Sequence, residues 1–352
     1  MSKTIKDLNI ALVGATGAVG LELLKLFANE RIPLEKIHCY ASANSAGKKL
    51  PYQNSFLLVK ELEKEIFQEI DLAFFSAGSQ ISKAYVPLAK EAEAISIDNS
   101  SAFRKDPNVP LIVPEVNPEA IHTHQGIISS PNCVVAIMLT ALFPLHTEFK
   151  MEKIVVSTYQ AASGAGKKAM EELQEETRAF LENRPYKRTV MAHPYAFNLF
   201  THNSALLENG YVEEEMKVVH ETHKILGDNQ INISPTCIRV PVLRTHAESI
   251  YVEFEKKITA NAAKAILKQA PGITFLENFD SHHFPMPIDA IGKEGVFCGR
   301  IREDLFNPKA LHLWVVADQL LKGASSNMMQ IAHLVYGTGS INPRSSRSLA
   351  LP

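Results

Sequence analysis

The chain has 352 residues and a formal net charge of −2, with 46% hydrophobic and 21% charged residues. This length exceeds what one hydrophobic core normally serves, so two domains are expected, and the near-neutral charge argues against a nucleic-acid or membrane-surface partner. Residues 1–9 lack the apolar segment of a signal peptide, and the longest apolar run, residues 134–145, is too short to cross a bilayer. We therefore expect a cytoplasmic protein.

The first third of the chain alternates short apolar runs with helical patterns. Strands are predicted at residues 8–14, 36–40, 72–76 and 94–97, with helices ending near 29 and 92 after the first and third strands. Apolar runs that break at glycine are typical of parallel strands buried on both faces. The alternation predicts an α/β fold with a Rossmann-type doubly wound sheet.

The apolar run 134–145 predicts a buried helix, and after about residue 150 the pattern changes. An amphipathic helix with glutamates on its exposed side is predicted at 167–183. Alternating polarity favours an antiparallel or mixed sheet, whose strands are predicted at 153–159, 238–243, 249–255, 296–303 and 311–317. A last helix is predicted at 326–336, and the polar tail 340–352 is expected to be loose.

Three glycines, Gly14, Gly17 and Gly20, stand between the first strand and its helix, a variant of the dinucleotide-binding turn. Glycine lets backbone N–H groups approach a pyrophosphate, and the helix N-terminus favours its charge. The segment after the second strand, 41–49, has no acidic residue to bind ribose hydroxyls but contains two serines and two lysines. This composition favours NADP over NAD, although a solvated basic loop would look the same.

Cys133 directly precedes the buried helical run and is the candidate nucleophile. At a helix N-terminus the dipole and free N–H groups favour a thiolate, and those groups, with the Asn132 amide, could bind an oxyanion. A small apolar filler would fit the same position. Arg239 is predicted to begin a strand and could bind an anion. His246 is predicted to follow the end of that strand and could transfer a proton. With 13 histidines in the chain, a lone histidine is more often structural.

No metal site is predicted. The other cysteines, Cys39, Cys237 and Cys298, are too far apart for zinc-type pairs and are expected to be buried, reduced thiols. His220 and His223 are three residues apart where the zinc-protease helix needs four, so we expect them at the surface. The same is expected of the His282-His283 doublet, which no acidic pattern supports.

From about Leu8 to Tyr336 the chain resembles the aspartate-semialdehyde dehydrogenase family. The string Thr158-Tyr-Gln-Ala-Ala-Ser-Gly-Ala-Gly166 together with Pro131-Asn-Cys133 is highly specific for it. The remaining matching motifs are the glycine turn, Ser100-Ser-Ala-Phe-Arg104, Glu214-Glu-Met-Lys217, Arg239 to His246, Gly299-Arg-Ile-Arg-Glu-Asp304 and the segment from Lys322 to Ala332.

The resemblance implies NADP(H)-dependent reductive dephosphorylation of aspartyl phosphate to aspartate semialdehyde, in the biosynthesis of lysine, diaminopimelate, threonine and methionine. Cys133 would form a thioester, His246 would act as general acid/base, and Gln160 would place the substrate, with Asn132 beside the nucleophile. Arg239 would bind the substrate carboxylate, Glu214 its ammonium, and Arg104 and Lys217 the phosphate. The implied cofactor contacts are Gly14, Thr16, Gly17, Ala18, Val19, Gly20, Ser42, Asn44, Ser45, Ser163, Gly164 and Asn327.

The resemblance also implies the domain organisation. An NADP-binding domain would comprise 1–132 and 325–352, with the last helix returning to it. An α+β catalytic and dimerisation domain would comprise 133–324, giving a homodimer or a homotetramer that handles small molecules only.

Two departures from the family pattern matter. Val134-Val135 stand where small hydroxyl residues are usual, and this apolar neighbourhood favours the neutral thiol. Asn44 stands where an arginine is common, which weakens the grip on a 2′-phosphate unless Lys48 compensates. The alternatives are a silent paralogue and an N-acetyl-glutamyl-phosphate reductase-like enzyme. The motif of that reductase has glycine before its cysteine, where this chain has Asn132.

Overall fold

The computed structural model describes residues 3–336, so the tail predicted at 340–352 lies outside the described residues. The described chain divides into two compact units. The first comprises residues 3–132 and 324–336, and the second comprises residues 133–323.

The first unit is built on a seven-stranded sheet. Its strands and first helices are β1 (Ile10–Val13), α1 (Ala18–Asn29), β2 (Ile37–Ala41), β3 (Lys49–Tyr52), β4 (Ser55–Glu61), β5 (Leu72–Phe75), α2 (Ser79–Glu91), β6 (Ile95–Asp98) and β7 (Ile127–Ser129). The strand order is β3-β4-β2-β1-β5-β6-β7, and all neighbours are parallel except the β3–β4 hairpin. Apart from the hairpin edge this is the dinucleotide-binding order, which reverses at β1, so the Rossmann prediction is confirmed.

Burial on both faces explains the apolar runs of this sheet. Every residue of β1 and β5 is buried. Because successive side chains point to opposite faces, Leu12 joins the core cluster of Phe27 from α1, whereas Val13 joins the cluster of Val86 from α2. The hairpin was missed because β4 exposes most of its residues, including Phe56.

The second unit is built on a seven-stranded mixed sheet, as the strand patterns predict. Its elements are α3 (Cys133–Phe149), β8 (Met151–Gln160), α4 (Lys167–Leu181), β9 (Phe200–Thr201), α5 (Glu213–Leu226), β10 (Asn232–Arg239), β11 (His246–Phe254), α6 (Ala260–Leu267), β12 (Ile273–Phe275), α7 (Pro287–Ala290), β13 (Val296–Glu303) and β14 (Ala310–Ala317). The strand order is β12-β13-β14-β11-β8-β10-β9. Helix α3 is apolar on nearly every side because it packs on this sheet and on α5 and α6.

The strand predicted at 238–243 is wrong. Arg239 is the last residue of β10 and not the first, and His246 begins β11. The error comes from Pro235, which lies inside β10. Proline is tolerated there because β9 pairs only with Ile238 and Arg239, which leaves this edge of β10 open at Pro235.

The last described helix, α8 (Ser326–Tyr336), follows a π-helical turn at Leu321–Ser325 and belongs to the first unit. Met328 and Ile331 join the core cluster that contains Phe27. His333 Nε2 lies 2.6 Å from Glu30 Oε1, and the Tyr336 hydroxyl donates to the Asp71 carbonyl at 3.2 Å.

The glycine turn yields a first test. A Cβ on Gly20 would overlap the carbonyl oxygen of Gly14, so helix α1 can begin this close to the turn only with glycine there. Gly20→Ala should therefore destabilise the protein by about 1–3 kcal/mol, although the same change inside a helix ordinarily stabilises by about 1 kcal/mol. Urea unfolding of the wild type and the variant measures the change in the free energy of unfolding. A stabilised variant would show that α1 can move away from the turn.

Candidate active site

The glycine turn of the first unit forms a backbone cradle. Gly14 has a φ of +91°, and the N–H groups of Gly14 and Ala15 both donate to the Tyr40 carbonyl, at 2.9 and 3.2 Å. A Cβ on Gly14 would lie 2.8 Å from the Ser76 backbone, so no other residue fits. Thr16 lies in the turn, Gly17 directly precedes α1, and Ala18 and Val19 are the first two residues of the helix. A close-packed turn at a helix N-terminus fits a dinucleotide pyrophosphate.

The neighbouring turn follows β2, whose carboxyl end lies beside that of β1. It holds Ser42 and Asn44, which are exposed, and Ser45, whose hydroxyl accepts from Lys48 Nζ at 3.4 Å. No carboxylate is present in residues 41–49. The turn therefore offers hydroxyl and ammonium groups at the carboxyl ends of the parallel strands, where the glycine cradle also lies.

Arg104 and Asn327 brace the loop that leads to Asn132. The buried Arg104 donates from Nε to the Ser130 carbonyl at 2.9 Å and from Nη2 to the Asn99 carbonyl at 2.6 Å. Asn327 Nδ2, fully buried, lies 3.0 Å from both the Ile112 carbonyl and the Ser130 hydroxyl. Direct contacts of Arg104 with phosphate and of Asn327 with cofactor stay predictions, as does the oxyanion role of Asn132.

In the second unit, the ends of three adjacent strands bring Gln160, Arg239 and His246 together. Gln160 ends β8 and pairs with Arg239, which ends the parallel strand β10. On the other side of β8, Glu248 of β11 pairs with Thr158. Because side chains alternate along a strand, His246 shares a face with Glu248, and Gln160 shares it with Thr158. All three predicted site residues therefore lie on one buried face.

The backbone of Ala161 connects two of them. Its N–H donates to His246 Nδ1 at 3.0 Å, and its carbonyl accepts from Arg239 Nη1 at 3.2 Å. Both side chains are buried. Burial, and then the positive charge of Arg239, lower the pKa of His246 to about 3, so the imidazole is neutral at pH 7.

These contacts define the tautomer of His246. Since Nδ1 accepts a backbone N–H, the proton of the neutral ring is on Nε2. Within the described residues, Nε2 has no hydrogen-bond partner although it is buried. A Cβ on Gly164 would lie 3.1 Å from Nε2, so only glycine leaves room above the ring. His246 thus presents an N–H donor to the space beside Gly164.

Arg239 is a buried cation, 5% exposed. Its Nη2 donates to His202 Nε2 at 2.8 Å, and its Nε has no partner among the described residues. Arg239 forms no ion pair with any carboxylate of residues 3–336. Burying an uncompensated charge is costly, so this arrangement is suited to an anionic ligand.

Glu214, Gln160 and Lys217 form a connected polar group beside this face. Gln160 Nε2 donates to Glu214 Oε1 at 3.3 Å, and Lys217 Nζ lies 3.2 Å from Glu214 Oε2. Gln160 Oε1 accepts from the Thr158 hydroxyl at 3.1 Å, which orients the amide. Glu214 is buried, whereas Lys217 is partly exposed.

Cys133 is the first residue of α3, as predicted, and is half-buried, while the other three cysteines are buried. Burial raises the pKa of Cys39 and of Cys298 to about 12. A Cβ on Gly323 would lie 2.7 Å from Cys133 Cβ and 3.2 Å from Gln319 Cβ. Gly323 is therefore packed directly against Cys133.

Gln319 lies beside Gly323 and forms hydrogen bonds to Ser163 and to Thr245. Its Nε2 donates to the Ser163 hydroxyl, and its Oε1 accepts the Thr245 N–H at 2.9 Å. Thr245 precedes His246 and has a φ of +86°, rare for a β-branched residue. No local pattern in the sequence indicates the role of Gln319, because its partners lie 74 and 156 residues away.

No group of three or more potential ligands among residues 3–336 is arranged to bind a metal ion. His220 is exposed, and His223 Nε2 bonds the Ile231 carbonyl at 2.8 Å within the second unit. No helix in the described range is long and apolar enough to cross a membrane.

Both units resemble domains of known proteins. The family models described as "Semialdehyde dehydrogenase, NAD binding domain" and "Semialdehyde dehydrogenase, dimerisation domain" match residues 9–124 and 142–322. Aspartate-semialdehyde dehydrogenase of Synechocystis sp. is 46% identical over 332 residues, covering 94% of this chain and 98% of its own. The chain belongs to the aspartate-semialdehyde dehydrogenase family. The first unit is accordingly a nicotinamide-dinucleotide-binding domain, and the second is a dimerisation domain.

Other aspartate-semialdehyde dehydrogenases are similar over at least 93% of the chain. The Bacillus subtilis enzyme is 42% identical, covering 93% of this chain and 97% of its own. The crystal structure of Vibrio cholerae aspartate semialdehyde dehydrogenase II complexed with ASA has a TM-score of 0.91 at 39% identity, covering 94% of this chain and 98% of that one.

Glu248, two residues beyond His246 on the same face, gives a test of the site's interior. It is fully buried, neither carboxyl oxygen has a partner within residues 3–336, and burial raises its pKa well above 4.5. Above pH about 4.5, Glu248 ionises in the unfolded chain but stays neutral in the folded one. The free energy of unfolding of the wild type therefore falls by up to about 1.4 kcal/mol per pH unit, until the pH reaches the pKa of Glu248 in the folded protein. Glu248→Gln removes this loss.

The stability of the Glu248→Gln variant relative to the wild type should therefore rise with pH above about 4.5. Thermal unfolding between pH 4 and pH 8 measures the difference. Glu255→Gln, at an exposed position just after the same strand, is the control. A Glu248→Gln difference that does not change with pH would mean that the carboxyl group is ionised in the folded protein.

Proposed function

We propose that the chain catalyses the NADP(H)-dependent reductive dephosphorylation of L-aspartyl 4-phosphate to L-aspartate 4-semialdehyde. The proposal rests on the buried Arg239, which has no carboxylate partner among the described residues. One backbone residue connects it to a neutral His246, whose Nε2–H is unpaired within the same residues. This pair offers a carboxylate clamp and a proton donor side by side.

The substrate's head group is bound by opposite charges. Arg239 binds the carboxylate, for which a planar guanidinium supplies paired donors. Glu214 binds the ammonium, and Gln160, held by Thr158 and Glu214, orients the reacting carbonyl. Lys217 and Arg104 are the proposed phosphate ligands. The family match and the charge of each side chain support these assignments.

Cys133 carries the covalent step. Its thiolate attacks the acyl carbon of aspartyl phosphate, the bond from that carbon to the phosphate oxygen breaks, and inorganic phosphate leaves with the electron pair. The resulting thioester keeps the acyl group on Cys133. When bound, the nicotinamide cofactor supplies the hydride. Donation from His246 Nε2–H stabilises negative charge on the carbonyl oxygen, and the carbon–sulfur bond breaks to release the aldehyde and the thiolate.

NADP is the proposed cofactor. The glycine cradle fits a pyrophosphate, and the turn after β2 has Ser42, Ser45 and Lys48 and no carboxylate that would repel a 2′-phosphate. Ser163 and Gly164 in the second unit are further proposed cofactor contacts. The proposed assembly is a homodimer or a homotetramer, supported by the dimerisation-domain match, and the proposed location is the cytoplasm.

The decisive experiment is a steady-state assay in the oxidative direction, with aspartate semialdehyde, phosphate and either NADP or NAD. Reduction of cofactor that requires both phosphate and the semialdehyde supports the activity. Reduction without phosphate would contradict the phosphorylating reaction. A higher kcat/KM with NAD than with NADP would overturn only the cofactor proposal.

Cys133→Ala should lower turnover by at least about a thousandfold while leaving NADP affinity nearly unchanged, because the nucleophile is lost and the cradle is intact. Coenzyme binding is measured by titration calorimetry. Iodoacetamide should label the wild type fastest at Cys133, with buried Cys39 as the internal reference. Equal labelling rates at the two cysteines would support a catalytically silent protein.

Arg239→Lys should raise the KM for aspartate semialdehyde about 10- to 100-fold, because the charge remains but the paired hydrogen bonds to the carboxylate are lost. Initial rates at saturating phosphate and NADP measure this. The exposed Arg184→Lys is the matched control and should behave as wild type. An unchanged KM in Arg239→Lys would show that this guanidinium does not bind the substrate.

A further inference from the structure

His202 and Ser204 join the two groups that the proposed function assigns to the substrate's head group. We propose that they are positioning residues, which hold Arg239 and Glu214 at the spacing needed to bind a carboxylate and an ammonium on the same carbon atom. The inference rests on the proposed function and names the residues that set specificity for an α-amino acid.

The contact between His202 and Arg239 defines which ring nitrogen accepts. A guanidinium can only donate, so the 2.8 Å contact with Arg239 Nη2 makes His202 Nε2 an acceptor. The neutral ring then carries its proton on Nδ1, which lies 3.1 Å from the Ser204 hydroxyl and 3.2 Å from the Ser204 backbone nitrogen. Of these two groups only the hydroxyl oxygen can accept that proton, so Nδ1 donates to it. Burial, and then the charge of Arg239, lower the pKa of His202 to about 4, consistent with a neutral acceptor at pH 7.

Ser204 carries the connection to α5. Its hydroxyl oxygen accepts the backbone N–H of Glu214 at 3.0 Å, in the first turn of the helix. The N-terminal residue before this helix, Val212, has no side-chain oxygen to fulfil that role. One hydroxyl therefore fixes both the His202 ring and the start of the helix that carries Glu214.

The strand β9 explains why His202 is rigid. Its two residues pair with the end of β10, Phe200 opposite Arg239 and Thr201 opposite Ile238. The His202 N–H then donates to the Cys237 carbonyl at 2.8 Å. His202 is thus attached by its backbone to the strand that carries Arg239 and by its ring to the Arg239 side chain.

The contacts of Arg239 with Ala161 and His202 use some of the guanidinium N–H donors and leave the others for a ligand. Nη1 bonds the Ala161 carbonyl and Nη2 bonds His202, which holds the guanidinium plane from two directions. Without an acceptor at residue 202 the plane keeps one protein contact and can rotate. The carboxylate would then meet a less well-oriented guanidinium, while Cys133 chemistry would be unaffected.

The test compares His202→Leu with His202→Gln in the intact enzyme. His202→Leu removes the acceptor and should raise the KM for aspartate semialdehyde about 5- to 50-fold, with kcat and the KM for phosphate within about twofold of wild type. His202→Gln supplies an amide oxygen as acceptor and should recover most of the affinity. His193→Leu, at an exposed position of the same segment, is the control.

The outcomes separate the two proposals. If Arg239→Lys and His202→Leu both raise the semialdehyde KM and His202→Gln restores it, the positioning role holds. If only Arg239→Lys raises it, or if His202→Leu raises the phosphate KM equally, the positioning role is overturned and the clamp role of Arg239 stands. If Arg239→Lys has no effect, the failure lies in the proposed function. Far-UV circular dichroism of each variant identifies loss of folding, which would overturn the claim of a local role.

Discussion

The geometry of the second unit's site depends on the backbone of one residue, Ala161. Its N–H and its carbonyl bond the side chains of two proposed site residues, His246 and Arg239. The N–H and the carbonyl of Ala161 belong to two successive planar peptide groups that meet at one Cα, so the backbone directly after β8 sets the distance between imidazole and guanidinium. Burial, and then the positive charge that this proximity places beside the ring, lower the pKa of His246 and keep the imidazole neutral.

The cost of this arrangement is a cation buried without a counter-ion among the described residues. Hydrogen bonds to Ala161 and His202 satisfy part of the Arg239 guanidinium but do not neutralise it. A ligand that brings a carboxylate would complete the site electrostatically, and a neutral ligand of the same shape would not. Selection by charge therefore follows from burial as much as from direct contacts. Gly164, which leaves open space beside both side chains, keeps the place for such a ligand free.

Features with a local cause could be predicted from the sequence. The glycine turn, the parallel strands beside it and the position of Cys133 at the start of a helix each follow from a few neighbouring residues. The strand that carries Arg239 was misplaced because Pro235 is compatible with an edge that only the sheet order reveals. Gln319 and His202 were missed because their partners Thr245 and Arg239 are distant in sequence. Ser204 was missed because its residue type is common and its role depends on His202. Pairing between distant segments leaves no periodic pattern in a single chain.

The left-handed backbone at Thr245 restricts how this part of the chain can evolve. Glycine adopts such a conformation without strain, and asparagine or aspartate tolerates it better than most, whereas valine or isoleucine would be strained as threonine is. Leu243, two residues earlier and exposed, carries no comparable restriction. Among distant relatives, substitutions that keep His246 in place should therefore be few at position 245 and many at position 243.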